Sequence, residues 1–498
     1  MKFPKITLLS AAALLTITAC SEDWTEHFEA PAPATSNLME NIAADGELSS
    51  FAALLRSTGY DAVLAADQTY TVWAPTNAAL SSPDFAGGAD AESQLRTVRN
   101  HIARYSYPAS TDAEARVTML NGKTFAFGAL APLSASQQPL PSSNGLLHKL
   151  SSTIAYKYNI REYIDTHAEC SAASQFVAAF DEPRYAPELS TTYDSVFVNY
   201  NPLLNDLHYG VGDIANEDSL YTVVIADDAA WQDAYDRLAP AFKTFNADAA
   251  VADSIQHVQT SQTIFRALTA RTLDPAELAK HYAHEEASNG HIYLAQGAIA
   301  DIDTCLTAAV ITVEAEEMDS RVSLTGTNAY IRNVDMNSAV QGLGANSYLE
   351  VSSGNVDGGV TFDIPGVLAQ TYDVYVDFVS PIVDGEALRE QMTKVTFQLR
   401  YLNAQGRTAV SNNNTATQID ASMGDVISVK AFSALAFPVA DYYDPLWLSD
   451  ESHSTADITE STTLQVKTKV TATDARNGYE RTFRVDRIRF VPVTPQSK

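Results

Sequence analysis

A strand–cap–helix motif that occurs twice is the strongest constraint on how this chain can fold. Residues 70–80 read YTVWAPTNAAL and residues 221–231 read YTVVIADDAAW, with Tyr, Thr, Val and two alanines at matching positions. The first copy alternates with the period of a strand, and Thr76 or Asn77 can cap the helix that follows. In the second copy Asp227 provides the same kind of short side-chain oxygen. The repetition predicts two copies of one domain.

A second pair of matching segments supports this interpretation. Residues 143–150 read SNGLLHKL, and residues 288–295 read SNGHIYLA. An Asn-Gly pair before an alternating apolar run predicts a tight turn that leads into a strand. Upstream of the first motif, the apolar spacing predicts a helical stretch that begins at Asn37 and ends at Gly59.

The first copy resembles the fasciclin (FAS1) domain. The resemblance is carried by the TVWAPTNAA box, HIARY at 101–105, LNGKTF at 120–125 and NGLLH at 144–148. The second copy departs from the family pattern, because Ala226 replaces the proline and Tyr293 replaces His148. We therefore expect an α+β fasciclin domain at 37–155 and a divergent one at 156–310. The resemblance implies adhesive contacts with proteins or glycans.

The N-terminus is predicted to be a lipoprotein signal peptide, residues 1–20. Lys2 and Lys5 precede an apolar run that ends in ITAC, which resembles the bacterial lipobox. This resemblance implies a covalent lipid on Cys20; an ordinary signal peptide or a core helix with an incidental cysteine is the alternative. Residues 21–23 resemble the acidic surface-export signal of Bacteroidetes lipoproteins, or they simply begin a solvated tether over 21–36.

Charge and motifs narrow the classes of function. The 498 residues include 32 Lys and Arg against 61 Asp and Glu, so an acidic chain of this kind is a poor partner for nucleic acid. The sequence has no P-loop, nucleophile elbow, HExxH or CxxC motif, and we predict that it is not an enzyme. His281 and His284 have the spacing of metal ligands on one helix face, but with Glu285 and Glu286 beside them we interpret this segment as a solvated face.

From about residue 309 the helical periodicity gives way to alternating strands. Residues 372–378, 395–399 and 464–470 show this pattern within turn-rich sequence, which predicts an antiparallel β-sandwich over 311–495. The order of EAE at 314–316, SYLEV at 347–351 and VDRIRF at 485–490 resembles the galactose-binding-like sandwich of carbohydrate-binding modules of families 6 and 35. In that fold EAE opens the domain, and an aspartate on the last strand helps to hold a structural calcium ion.

Three carboxylates are therefore a candidate Ca²⁺ site. Glu314 and Glu316 project to one side of a strand, and hard oxygen ligands of this kind suit calcium. The apolar phase changes around Asp486, which predicts a β-bulge that could turn this side chain toward the first strand. The alternative is that all three are ordinary surface carboxylates.

The aromatic loop at 441–447 is a candidate sugar-binding platform. Tyr442, Tyr443 and Trp447 could stack on a pyranose ring while neighbouring carboxylates bind its hydroxyl groups. The alternative, which is the commoner role of aromatic residues, is that they plug the end of the sandwich. We interpret Asn412–414 as a loop tip. Cys170 and Cys305 could form a disulfide in an exported protein or remain two buried thiols.

The complete prediction is a multidomain protein with two α+β fasciclin-like domains followed by an antiparallel β-sandwich. We expect a lipid-anchored protein of the outer membrane, exposed at the cell surface, that binds glycan or protein partners without catalysis. It would act as an accessory to a glycan-capture and import complex of a TonB-dependent transporter and a glycan-binding lipoprotein. Structural cell–cell or matrix adhesion is the alternative, followed by a glycan-active enzyme.

Overall fold

The computed structural model describes most of the chain after its N-terminus. The described residues are 34–82, 90–108, 115–135, 138–187, 196–208, 210–269, 274–300, 302–334, 340, 342–423, 425–441 and 462–493. The chain divides into two compact units, residues 1–157 and 158–498. The predicted lipidation site Cys20 and the predicted platform residues Tyr442, Tyr443 and Trp447 lie outside the described residues. No helix within the ranges above is long and apolar enough to cross a membrane.

The first unit is an α+β domain built on a four-stranded sheet. Its helices are α1 (Leu38–Ala44), α2 (Ser49–Ser57), α3 (Tyr60–Ala65), α4 (Asn77–Leu80), α5 (Ala91–Arg99) and α6 (Phe127–Leu130). Its strands are β1 (Tyr70–Pro75), β2 (Ile102–Arg104), β3 (Arg116–Thr118), β4 (Thr124–Ala126), β5 (Leu140–Ser142) and β6 (Gly145–Leu150). The sheet order is β2–β1–β6–β5, with β1 and β6 parallel, while β3 and β4 form a separate hairpin.

Strand β1 lies at the centre of this unit and is buried along its whole length. Because side chains alternate across a strand, Val72 and Ala74 join the core under α1 to α3, while Trp73 joins the opposite core under the β3–β4 hairpin. The Trp73 side chain is 1% exposed and stacks on the ring of His148 at 5.1 Å between centroids. The predictions of a strand and a buried tryptophan are confirmed.

The predicted helical stretch from Asn37 to Gly59 is divided in the structure into α1 and α2, with a 3₁₀ turn between them. It ends at Gly59 as predicted, and α3 follows. Asp45 has an extended backbone, and its side chain accepts a hydrogen bond from the Glu47 amide at 2.9 Å. Such a local side-chain bond caps a new turn and competes with continuation of the helix. Gly59 separates the last two helices with a φ of 75°, in the left-handed region where glycine is favoured.

The second unit begins with a domain that contains the second strand–cap–helix motif. Its helices are α7 (Ile160–Thr166), α8 (Ser171–Ala178), α9 (Pro202–Asn205), α10 (Asp228–Leu238), α11 (Ala249–Thr269), α12 (Pro275–His281) and α13 (Ile302–Cys305). Its strands are β7 (Glu182–Tyr185), β8 (Phe197–Tyr200), β9 (Tyr221–Ala226), β10 (Ala283–Ala287) and β11 (Gly290–Ala295). Strands β10, β11 and β9 form one sheet, and β7 and β8 form a separate hairpin.

The parallel strand pair at the centre of the first unit is repeated here in the same register. Tyr70 lies opposite Gly145 in the parallel pair β1–β6, and Tyr221 lies opposite Gly290 in the parallel pair β9–β11. A Cβ on either glycine would lie 1.8 Å or 1.9 Å from the carbonyl oxygen of the facing tyrosine, so only glycine fits. The predicted caps are also present, since Thr76 accepts from the Ala79 amide, as Asp227 does from Ala230.

The structure describes the side chain of one of the two cysteines in this domain. Cys170 is buried and has a free thiol, while the side chain of Cys305 lies outside the described residues.

His281 ends α12, but His284 lies in β10, where its Nε2 is 3.0 Å from Nδ1 of His291. The idea that His281 and His284 share one helix face is therefore wrong.

The remainder of the second unit consists almost entirely of antiparallel strands. These are β12 (Ile311–Glu314), β13 (Arg321–Thr325), β14 (Thr327–Asn333), β15 (Ser347–Ser353), β16 (Gly359–Asp363), β17 (Thr371–Val379), β18 (Thr393–Leu402), β19 (Thr408–Ile419), β20 (Val426–Ala436), β21 (Thr463–Thr468) and β22 (Thr482–Pro492). One short helix, α14 (Ala472–Arg476), precedes the last strand.

These strands form two sheets that share one apolar core. One sheet has the order β14–β15–β22–β17–β20, with β12 also paired to β22, and the other has the order β13–β16–β21–β18–β19. Inward side chains of both sheets, among them Val376, Phe397 and Val466, meet in the same buried cluster. The predicted antiparallel sandwich is present. Asn412–414 lie within β19, so the prediction of a loop tip is wrong.

The sandwich is joined to the preceding domain by the segment that follows α10. The Ala369 amide donates to the Ala241 carbonyl at 2.7 Å, and the Ala440 amide donates to the Lys243 carbonyl at 2.6 Å. The ring of Phe245 lies so close to Gly406 that a Cβ there would be 2.0 Å from it. The predicted domain boundary at 310/311 thus marks a change from mixed helices and strands to strands within one compact unit.

Candidate functional site

The predicted bulge places Asp486 inside the sandwich. Strand β22 pairs with β17 through Arg487 opposite Asp377 and Val485 opposite Phe378, which leaves Asp486 as the extra residue. The same position is where the other partner of β22 changes from β15 to β12. A bulge turns a side chain away from its regular direction. Val485 and Arg487 continue the pairing of the strand on either side, and the Asp486 side chain between them is completely buried.

Glu314 and Glu316 lie beside this aspartate. The Ala315 amide donates to the Asp486 carbonyl at 2.9 Å, so the segment that carries both glutamates runs along the bulge. The Gly344 amide lies 3.2 Å from both carboxylate oxygens of Asp486, and a Cβ on Gly344 would lie 2.6 Å from Glu314 Oε2. Glu316 Oε1 accepts a hydrogen bond from Ser347 at 3.0 Å. Glu314 ends β12 and Glu316 lies in the turn that follows, so the two glutamates do not share a strand as predicted, but both lie close to Asp486.

The electrostatics of this cluster disfavour ionisation of Asp486 and Glu314. Burial raises the pKa of Asp486 to about 6, against the opposing effects of the Gly344 amide and the Arg487 guanidinium. Burial also raises the pKa of Glu314, and the charges of Asp486 and Glu316 add to the effect. A cation bound between acids that repel one another in this way stabilises their ionised forms.

The donor set agrees in part with a calcium site. Glu314 Oε2 and Glu316 Oε2 are buried oxygen atoms that have no hydrogen-bond partner in the ranges that the structure describes, and a hard cation would satisfy them. In the part of the chain that the structure describes, however, no group of three or more His, Cys, Asp or Glu side chains has the arrangement needed to hold a metal ion. Calcium at Glu314, Glu316 and Asp486 therefore stays a prediction.

A second feature lies on the outer face of the sheet β13–β16–β21–β18–β19. Thr361 lies opposite Gln465, Gln465 opposite Gln398, and Gln398 opposite Asn412, so four adjacent strands place one polar side chain each in a single row. The Gln398 Nε2 group donates to Asn412 Oδ1 at 2.8 Å. We call these four residues the amide row.

Three residues of the amide row, Thr361, Gln398 and Gln465, line a groove of about 380 Å³. Ser323, Arg400 and Thr463 complete its polar lining, and Arg400 lies opposite Thr463 in the neighbouring cross-strand row. The groove thus offers hydroxyl, amide and guanidinium groups on a rigid sheet. Sequence reasoning identified Gln465 on the polar face of its strand but missed the row, because cross-strand register depends on partners distant in sequence.

The start of the predicted aromatic loop is described at Asp441. Burial raises the pKa of this carboxyl to about 6, although the Thr462 amide donates a hydrogen bond to it and opposes the shift. Asp441 forms an isolated bridge with Val367 at one end of the sandwich. The loop residues that follow it lie outside the described part of the chain.

Comparison with known proteins identifies one family and several similar structures. The fasciclin domain model matches residues 46–151, within the predicted first domain. No curated protein matches the chain significantly.

A Paenibacillus xanthan lyase is 14% identical over 36% of this chain and 13% of its own length, with a TM-score of 0.23. The second family 22 xylan-binding domain of Paenibacillus barcinonensis Xyn10C is 12% identical over 37% of this chain and 99% of its own, with a TM-score of 0.23. The family 6 module CBM6cm-2 of Cellvibrio mixtus lichenase 5A, solved with cellotriose, is 12% identical over 37% of this chain and 100% of its own, with a TM-score of 0.19.

Proposed function

We propose that this chain is a non-catalytic binding protein whose sandwich contacts glycans through the amide row. The observation that carries the proposal is the unbroken series Thr361, Gln465, Gln398 and Asn412 across four strands. Neighbouring strands are about 4.8 Å apart, so the row extends over about 14 Å. Side-chain amides both donate and accept hydrogen bonds, as sugar hydroxyl groups do. A row of this length could contact successive units of a polysaccharide.

The remaining parts of the proposal follow from the sequence. A lipid on Cys20 would anchor the protein in the outer membrane, with the chain exposed at the cell surface. The repeat of the parallel strand pair in the same register supports assignment of residues 156–310 to the fasciclin family as a divergent copy. In this setting the protein would present glycan to a TonB-dependent transporter and its glycan-binding lipoprotein. A calcium ion at Glu314, Glu316 and Asp486 would stabilise the sandwich.

Binding of glycans by the purified chain without residues 1–20 tests the proposal. Replacing Gln398 and Gln465 by Ala removes two hydrogen-bonding groups, each worth about 0.5–1.5 kcal/mol, so the Kd should rise about 5- to 150-fold. Calorimetric titration with soluble polysaccharides measures this change. Gln405→Ala is the control, because it removes an exposed amide outside the groove. Equal affinity of all three proteins for every glycan that binds would refute the role of the amide row.

Protein-mediated adhesion is a second candidate, favoured by the fasciclin match at 46–151. In that case the chain would capture a protein partner, and glycans would not compete for it. Capture that survives enzymatic removal of glycans, together with no polysaccharide binding in titrations, would favour adhesion over glycan binding.

A further inference from the structure

A large cleft lies in the domain that contains β9, far from the amide row in sequence. It has a volume of about 1550 Å³ and is formed by α8, the β7–β8 hairpin, α10 and α11. Pockets for small molecules usually measure about 300–1000 Å³, so this cleft has room for an elongated ligand. Val251 at its border is 42% exposed, which shows that the cleft opens to solvent.

Helix α11 brings an unusual run of polar residues to this cleft. Five consecutive side chains in the middle of the helix, Gln259 to Thr263, are each at most 4% exposed. Two of them satisfy their hydroxyl groups on the helix itself, Thr260 on the Gln256 carbonyl at 2.7 Å and Thr263 on the Gln259 carbonyl at 2.8 Å. The run is therefore only partly paired within the helix.

Two atoms of this run that border the cleft are buried and have no hydrogen-bond partner among the described residues. These are the hydroxyl oxygen of Ser261 and the amide oxygen Oε1 of Gln262, on residues that are each 1% exposed. Leaving a buried polar atom unpaired costs free energy, and such atoms in a native protein require an explanation. An apolar residue at either position would avoid that cost. A ligand that donates hydrogen bonds would satisfy both atoms.

Aromatic residues also line the cleft. Phe176 packs against Trp231 at 5.7 Å between ring centroids and against Phe180 at 5.2 Å, and Tyr235 lies beside them on α10. Aromatic surface beside polar hydrogen-bonding groups suits a ligand with apolar ring faces and a rim of hydroxyl groups.

The charges at the border do not select an ion. Glu182 and Asp206 carry negative charge there, while Arg184 lies over the ring of Tyr200 at 4.3 Å. A strongly charged ligand would meet both signs, so charge complementarity favours a neutral one.

We propose that this cleft is a second binding site, specific for a neutral oligosaccharide. Ser261 and Gln262 would bind its hydroxyl groups, and Trp231 with Phe176 would contact its ring faces. The site differs from the amide row in domain, residues and expected readout, and it stands whether or not the sandwich binds glycans. An extended peptide is the other class of ligand that the volume would admit, and the test distinguishes the two.

Tryptophan fluorescence of the full chain provides the first measurement. Neutral hexasaccharides of glucose, xylose, mannose and galactose are titrated separately, and at least one should change the emission of Trp231. Trp231→Phe should abolish that change, whereas Gln398→Ala with Gln465→Ala should retain it. The proposal is overturned if none of the four sugars changes the Trp231 signal at millimolar concentration, or if a peptide library changes it instead.

Substitution of the unpaired atoms provides the second measurement. Gln262→Leu should weaken hexasaccharide binding at least tenfold and should not lower the melting temperature, because it removes a buried oxygen that has no partner in the free protein. Gln256→Leu is the matched control on the same helix. Its Nε2 donates to the Ala239 carbonyl and it does not line the cleft, so this variant should lose stability and keep binding. A lower melting temperature for Gln262→Leu, or unchanged affinity, would contradict the proposal.

Discussion

Two buried asparagines each connect three parts of their domain. The side-chain oxygen of Asn144 accepts from the Leu38 amide at 2.8 Å, and its amide donates to the Leu64 and Ala66 carbonyls. Asn289 makes the corresponding bonds with the Ile160 amide and with the Ile214 and Asn216 carbonyls. The first turn of a helix has unpaired amides, so each asparagine closes a helix start from across the domain.

We expect Asn144→Ala to destabilise the first unit strongly. The change leaves the Leu38 amide and two carbonyls unpaired, and each such group costs about 1–3 kcal/mol, so the loss is on the order of 3 kcal/mol or more. Urea unfolding measures it. Glu92→Ala on the exposed face of α5 is the control and should have almost no effect. Equal stability of the two variants would show that the asparagine bonds are dispensable.

The stability of the first unit should also depend on pH through His101. This ring is buried, with Nδ1 2.8 Å from the Thr97 carbonyl oxygen and Nε2 accepting from the Ile154 amide at 3.0 Å. Burial lowers its pKa from 6.5 to about 4, so the folded state binds fewer protons than the unfolded state between these values. Stability is therefore complete above pH 6.5 and falls as the pH decreases toward 4. We expect a loss of about 2 kcal/mol between pH 7.5 and pH 5 in urea unfolding. A constant free energy of unfolding over that range would contradict this assignment.

The local sequence pattern predicted the burial and contacts of some residues and not of others. Trp73 could be predicted as buried, and Asp486 as a bulge, because alternation within one strand contains that information. The bonds of Asn144 could not, because the sequence shows an Asn-Gly turn and not the carbonyls that the side chain reaches. The unpaired atoms of Ser261 and Gln262 were missed for the same reason, since exposure in a helix depends on what packs against it.

At the scale of elements, β12 and β22 bring together the candidate calcium ligands. Their order in the sequence predicted the contact, and the pairing of Val313 with Ile488 and Glu314 with Arg487 confirms it. The loop around Gly344 was not predicted, although its amide donates to Asp486. A loop that approaches from elsewhere in the chain has no periodic signal in the sequence.

Calcium should stabilise the full chain more at pH 7 than at pH 5. The pKa of Asp486 is raised to about 6, so its ionised form is disfavoured by folding and destabilises the empty site as the pH rises through that value. A bound cation offsets this cost and stabilises by about 2.7 kcal/mol at a hundredfold excess over its Kd. Melting temperatures with calcium and with chelator measure the effect at both pH values. Asp486→Asn should remove the dependence on calcium, and identical melts with and without calcium would reduce the three carboxylates to buried charges.

At the scale of the whole molecule, the sequence predicted the order of domains but not how the last two are joined. The boundary near residue 310 followed from the loss of helical periodicity. The contacts that unite the two parts lie elsewhere, where Ala241 and Lys243 accept hydrogen bonds from Ala369 and Ala440. Leu368 of the sandwich is also buried in the apolar core of the preceding domain. Backbone bonds of this kind have no sequence signature, because every residue type can make them.

These contacts predict that residues 158–498 unfold as one cooperative unit. Unfolding of either part would expose apolar surface and unpair backbone groups across the junction. A substitution in one part should therefore destabilise the other part as well. We expect Asn289→Ala in the first part and Phe397→Ala in the sandwich core to lower the same calorimetric transition. The phenylalanine change should cost about 3–5 kcal/mol, the range for a large side chain removed from a core. Asn144→Ala should leave this transition unchanged and serves as the control. Two separate transitions, one sensitive only to Asn289→Ala and the other only to Phe397→Ala, would show that the junction transmits no stability, and residues 158–498 would then contain two independent domains.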